Sequence, residues 1–255
     1  MRLFKLTFAT IFRRKTWAIC ALLVVAFPFA IQLLSSATEN PAMRKPAIAQ
    51  ATWVMAWLST VFWGFFAAAK AGETHSQFGL GEYFRSTGLS ATRQLFQLWA
   101  ATATFVLPLG LAAALVCIFA ASPSHPDERI MWININVQHA ILFILAIGPL
   151  LALAVAIASR FGSLTGFLAS SGLTVYGLYG VGYLESLLQI ETNPVLYRLW
   201  TLSPQYHLAD PTERLRYKTG AIEWHQFPLI LLYFIGIMLI YAVLARLLFR
   251  TKPAV

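Results

Sequence analysis

Six stretches of this 255-residue chain contain no Asp, Glu, Lys or Arg: Thr16–Leu34, Ala51–Ala69, Gln94–Ala121, Gln138–Ser159, Phe161–Leu184 and Gln226–Ala245, each 19 to 28 residues long. A helix needs about 20 apolar residues to cross the hydrocarbon of a bilayer, so every stretch is long enough. Lipid offers no hydrogen bonds to peptide groups, and a run that closes its own bonds as a helix meets that condition. Only 11% of the residues are charged and the mean hydropathy is +0.67, whereas about a quarter of an average soluble domain is charged. The longest gap between stretches, Glu185–His225, is 41 residues, too little for a further domain. The sequence therefore reads as one all-α polytopic membrane domain over residues 1–255, with six transmembrane helices.

The cations orient it. With the N-terminus inside, the inner segments carry twelve Lys and Arg against Glu73 and Glu82, a net +10, and the outer segments carry seven against eight acids, a net −1. The formal charge of +9 is then the excess of Lys and Arg expected of cytoplasmic loops, with both termini cytoplasmic in the cell (inner) membrane. It is not the clustered footprint of a nucleic-acid-binding face. Cys20 and Cys117 fall near opposite faces of the membrane, which excludes a disulfide between them.

Residues 1–15 place Leu3, Phe4, Phe8, Ile11 and Phe12 on one helical face and Arg2, Lys5, Arg13 and Arg14 largely on the other. That pattern describes a helix lying in the inner interface, against membrane lipid; a frayed start of the first span is the competing reading. A cleaved signal peptide, with Ser35-Ser36-Ala37 as its cleavage site, is a further alternative. The 19-residue apolar run exceeds the roughly 7–15 residues of such peptides.

The inner segment between the second and third stretches, Lys70–Arg93, has 24 residues, more than a plain connection needs. It mixes apolar Phe78, Tyr83, Phe84 and Leu89 with charged Glu73, Glu82, Arg85 and Arg93. Apolar anchors among charges on a cytoplasmic projection suit docking to another protein; a helix resting on lipid is the alternative. Within it, Gly79-Leu80-Gly81-Glu82-Tyr83-Phe84-Arg85-Ser86-Thr87-Gly88-Leu89-Ser90 resembles the G-T-x-E-x-L-x-S-T-P-L-S pattern of type-2 ATP-binding-cassette (ABC) exporter permeases. The match holds at Gly79, Glu82, Ser86, Thr87, Leu89 and Ser90, with Glu73 as the preceding acid, and departs at Leu80 and Gly88. Leu202-Ser203-Pro204-Gln205-Tyr206-His207 is similar to the family's Ser-Pro-x-x-His-like element between the last two spans.

The resemblance implies an ATP-driven exporter in which Glu73, Gly79, Glu82, Tyr83, Phe84, Arg85 and Ser86 belong to a coupling helix seated in a separate ABC ATP-binding subunit. None of the six lysines follows a glycine, so no G-x-x-x-x-G-K-[ST] phosphate loop is present. ATP and Mg then reach the machine through the partner, and this chain binds no cofactor and catalyses nothing itself. A second permease chain, identical or a paralogue, completes the assembly. The family lines its pathway with the second and fifth spans, which makes Trp57, Phe62, Phe65, Phe66, Tyr176, Tyr179 and Glu185 pathway candidates. Ordinary lipid or core packing is the competing reading for the aromatic rings.

Gly162-x-x-x-Gly166-x-x-x-Ser170 puts small residues on one helix face and reads as a packing surface, within the chain or across a dimer. The outer segment 185–225 resembles the family's short re-entrant helices, with interfacial helices as the alternative; Glu185 is its acid nearest an apolar stretch. The five histidines are scattered, with no H-E-x-x-H or Cys partners, so no metal site is expected. Rhomboid-like proteolysis lacks a histidine in the sixth stretch, and ion-coupled transport lacks ionisable residues in the spans. A membrane scaffold that recruits a cytoplasmic partner without transport is the main alternative. The exported substrate is not legible.

Overall fold

The computed structural model describes residues 2–34, 41–190, 193–217 and 219–252. Ser35-Ser36-Ala37, Glu39, Glu191 and Lys218 lie outside the described residues. Helix α1 (Arg2–Arg14) ends at Lys15, whose left-handed backbone (φ 57°) turns the chain into α2 (Thr16–Val25). Only Ala26 separates α2 from α3 (Phe27–Leu34). Helix α4 (Pro41–Ser59) passes through a π-helical turn, Thr60–Gly64, into α5 (Phe65–Gln77). Then come α6 (Leu80–Ser86), α7 (Ala91–Phe119) and α8 (Pro126–Phe161). Helix α9 (Ser163–Val175) passes through a second π-helical turn, Tyr176–Gly180, into α10 (Val181–Ile190). Helix α11 (Pro194–Leu202), a 3-10 turn at Tyr206–Ala209, α12 (Thr212–Tyr217) and α13 (Phe227–Leu248) complete the chain.

The fold is all-helical, with no strand among the described residues. Four helices there are long and apolar enough to cross a membrane: Met43–Gln77, Ala91–Phe119, Pro126–Phe161 and Phe227–Leu248. They mark a membrane protein. The other two expected spans have a different build. Thr16–Leu34 is split at Ala26 into helices of 10 and 8 residues. Phe161–Leu184 has its hydropathy diluted by Gly, Ser and Tyr and is interrupted by the second π-helical turn.

Helices also outrun the uncharged stretches. The fourth stretch begins at Gln138, yet α8 starts twelve residues earlier at Pro126, a first-turn proline that lacks only an N–H with no helical partner. Charges at Asp127, Glu128 and Arg129 do not stop it, because a helix leaving the bilayer closes its bonds as well in water. At about 1.5 Å per residue α8 is about 54 Å long, and it is the axle of the molecule. Consecutive residues Leu142–Phe143, Ala146–Ile147 and Leu150–Leu151 are all fully buried, so α8 is enclosed on several sides, by α5, α7, α9 and α13. A single residue, Gly162 at φ 90°, reverses the chain into α9; such a backbone is strained for any residue with a Cβ.

Candidate functional site

Each end of α8 holds a segment that crosses nothing, and the two are built differently. At its C-terminal end the last turns of α5, with α6 and the start of α7, form a knob. Gly79 heads α6, Gly88 ends it, and the Ser90 hydroxyl caps α7 by accepting from the Arg93 N–H at 3.4 Å. Gly88 sits at φ 85°, a conformation closed to proline, whose ring holds φ near −65°. The turn is closed by the Leu89 N–H, which reaches back to the Phe84 carbonyl at 2.9 Å.

One side chain organises the base of the knob. Gln94 Nε2 donates to the carbonyls of Leu89 (2.8 Å) and Gly81 (3.2 Å), and its Oε1 lies 2.8 Å from His75 Nε2. The His75 ring stacks on Phe249, just past the end of α13. The tail continues beneath α6: the Arg250 N–H donates to Ser159 Oγ at 2.9 Å, and the Thr251 carbonyl comes so close to Gly81 that a Cβ there would collide with it. Glu73 ties the knob to α9. Its Oε1 accepts the Ser163 N–H at 3.1 Å and its Oε2 pairs with Lys70; a carboxylate at a helix N-terminus satisfies a free N–H and faces the positive end of the helix dipole. From this base Glu82, Tyr83, Arg85 and Ser86 point outward, all exposed, whereas Phe84 turns inward and is buried. Of the residues expected at the coupling segment, Glu73 and Phe84 anchor and the other four side chains present. No motif or charge pattern marks His75, Gln94 or the tail. No sequence period connects positions near 75 and 94 with positions near 250.

The N-terminal half of α8 carries the second assembly, a cap made by residues 203–217 and 219–222. The cap docks on two polar side chains of α8, Gln138 and His139, both buried beside a third, Asn136. Gln138 reads the backbone of Ile222 twice, donating to its carbonyl at 2.8 Å and accepting its N–H at 2.9 Å. The His139 ring lies on Trp53 at 3.5 Å between centroids, receives the Trp57 indole N–H at 3.4 Å and stands 3.6 Å from Asp210 Oδ1. Trp53 in turn donates to Asn136 Oδ1 at 2.8 Å. Burial pushes the Asp210 carboxyl above the ordinary carboxylate range; the Thr212 hydroxyl and N–H pull it back, and Glu213 adds to the rise. Tyr206 is fully buried, its ring stacked on Phe234 at 6.3 Å, and burial raises its phenol above the usual range. It lies across the second π-helical turn. A Cβ on Gly177 would collide with the Tyr206 ring and stand 2.7 Å from the Pro204 carbonyl, and Tyr176 Oη meets Ser203 Oγ at 2.6 Å.

Glu185, the outer acid singled out from sequence, is exposed on α10; the acid that reaches the bundle is Asp210. Helix α11 buries none of its residues, and its Val195, Tyr197, Leu199 and Leu202 are exposed. The aromatic pathway candidates do not share one surface. Trp57 and Phe65 are buried, Phe62 and Tyr179 are exposed, Phe66 packs edge-on against Phe167, and Tyr176 serves the cap. In the small-residue series, Gly162 is the joint itself, Gly166 lies against the α8 backbone at Ala154 and Ala158, and Ser170 is fully buried. Next in the chain, Ser171 Oγ donates at 3.0 Å to the Val61 carbonyl within the first π-helical turn, where helical pairing is perturbed.

Cys20 and Cys117 are free thiols. Among the described residues no group of three or more His, Cys, Asp or Glu is placed to hold a metal ion. No family model, curated protein or solved structure matches the chain.

Proposed function

We propose that this chain is the membrane subunit of an ATP-driven exporter of the type-2 ABC class, with six crossings and both ends cytoplasmic. A separate ABC ATP-binding subunit grips α6 and hydrolyses ATP with Mg, and a second permease chain, identical or paralogous, completes the pathway. The observation that carries this reading is the knob: Glu82, Tyr83, Arg85 and Ser86 stand exposed on a base tied to three long helical elements. A motor can do work on a membrane domain only if it holds the handle differently in its open and closed states. The handle must also be stiff. Here Glu73 reaches α9, Gln94 belongs to α7 and Gly81 rests on the tail of α13, so a displaced α6 drags the ends of all three.

Co-purification with the cognate ATPase, followed by ATP turnover in lipid, tests the reading. Tyr83→Ala and Arg85→Glu should abolish coupled turnover and weaken the complex while the unfolding temperature stays unchanged. Unaltered turnover with an intact complex overturns it, as does labelling of Ser86→Cys from the external side. Capture of a cytoplasmic partner without nucleotide-driven transport would favour the scaffold reading instead.

A further inference from the structure

Helix α1 is not loose on its neighbours. Leu3, Thr7 and Ile11 are buried, the Phe4 N–H donates to Gln97 Oε1 at 3.1 Å, and Phe8 packs on Phe105 with centroids 4.8 Å apart. Fixed in this way against α7, α1 leaves a groove of about 190 Å³ between itself and α5. Its walls are apolar, with Leu6 and Ile11 on one side, Phe66 on the other and Leu98 beneath, and two cations also line it, Arg14 and Lys70.

We propose that this groove binds one phospholipid with an anionic head, an acyl chain lying along the α1–α5 wall and the phosphate held by Arg14 and Lys70. Two observations select that occupant. The groove lies beside an amphipathic helix at the level where apolar spans give way to charge, which is where lipid heads reside. The charge is complementary to a phosphate. No acid lines the groove among the described residues, and Glu73, which pairs with Lys70, has its other oxygen on the Ser163 N–H; an ammonium has three donors, so Lys70 keeps two for a ligand, and Arg14 adds a planar fork suited to phosphate oxygens. The proposal stands independently of the exporter reading, since it requires neither an ATPase nor a direction of transport.

The test is native mass spectrometry of the purified full chain in a zwitterionic detergent, titrated with dioleoylphosphatidylglycerol or dioleoylphosphatidylcholine. One phosphatidylglycerol per chain should be retained, at least about five-fold more tightly than phosphatidylcholine, as expected when a cation near the surface contributes on the order of 1 kcal/mol. Arg14→Gln should lose about that five-fold for phosphatidylglycerol and leave phosphatidylcholine unchanged. Ala67→Phe, which fills the groove, should lower binding of both, and Arg129→Gln, at the start of α8, should change nothing. Equal binding of the two lipids, or full phosphatidylglycerol affinity in Arg14→Gln, overturns the proposal. Displacement of phosphatidylglycerol by equimolar inorganic phosphate also overturns it, by showing an anion site that needs no chain. Arg14→Gln alters one exposed side chain, so the test stays decisive even where Ala67→Phe does not fold.

Discussion

The knob and the cap solve the same problem with opposite outcomes. Each fastens a non-spanning segment to one end of α8, and each uses a buried glutamine to satisfy main-chain groups, Gln94 for Gly81 and Leu89, Gln138 for Ile222. A buried peptide group without a partner costs far more than a made bond returns, so both glutamines are structural necessities. The difference lies in what remains outside. The knob turns Phe84 in and leaves Glu82, Tyr83 and Arg85 out; the cap turns Tyr206 in and brings Asp210 to a buried histidine. One end leaves its side chains exposed and the other withdraws them into the bundle.

The most disruptive way to break the comparison is Gly177→Val, which forces the Tyr206 ring and the Pro204 carbonyl off the second π-helical turn. Overpacking of this kind costs about 1–3 kcal/mol, and hydrogen exchange should show the cap opening while residues 80–94 stay protected. Gly81→Val, against the Thr251 backbone, should give the mirror result. Next come Gln138→Ala and Gln94→Ala, each expected to cost about 1–3 kcal/mol in thermal unfolding. Gln94→Ala should be the larger, because it strands the buried His75 ring nitrogen as well as two carbonyls, whereas Gln138→Ala strands one N–H and one carbonyl. The two variants should add, since the sites share no partner.

A smaller effect separates the two ends by pH. The folded state raises the Asp210 carboxyl above its unfolded value, so the fold binds that proton more tightly than the unfolded chain does. The resulting contribution to cap stability is complete below the ordinary carboxylate pKa and is lost as pH rises through the raised value. Exchange protection of Tyr206–Ala209 should fall over that range in the parent protein and lose this dependence in Asp210→Asn, with the knob indifferent in both. The smallest effect is expected from Tyr83→Ala and Arg85→Gln, whose exposed side chains should leave the unfolding temperature where it was. A marked drop would mean that these residues hold the fold and would remove the distinction between the two ends.

Much of this is legible in the residues alone. Six uncharged runs mark the helical bundle, and the mixed apolar and charged pattern of Lys70–Arg93 marks the knob, including residues that face outward. What the sequence lacks is the partners. Gln94 reads as the first residue of a span, His75 as one of five scattered histidines, and Phe249–Thr251 as a trailing end, because nothing in local spacing brings them together. His139 is visible as the one histidine inside an uncharged stretch, yet its acid arrives from residue 210, across α9, α10 and α11. Glu185 looks like the acid of the outer segment because it adjoins an apolar run, but α10 carries it on an exposed face.

The residues alone dictate the class of solvent. Runs of apolar residues as long as a bilayer is thick commit the chain to helices, because every peptide group must find its partner within its own segment. Which helix faces lipid and which faces protein is settled only when the helices pack. The most apolar windows of α8 and α13 have mean hydropathies of 2.8 and 2.5, yet 72% of the first is buried and 17% of the second. Lipid tails and leucine side chains are equally apolar, so hydropathy cannot distinguish them. The distinction comes from shape and polar pairing: glycines where backbones meet, and Asn136, Gln138 and His139 along α8, which meet Trp53, Ile222 and Trp57 from elsewhere in the molecule.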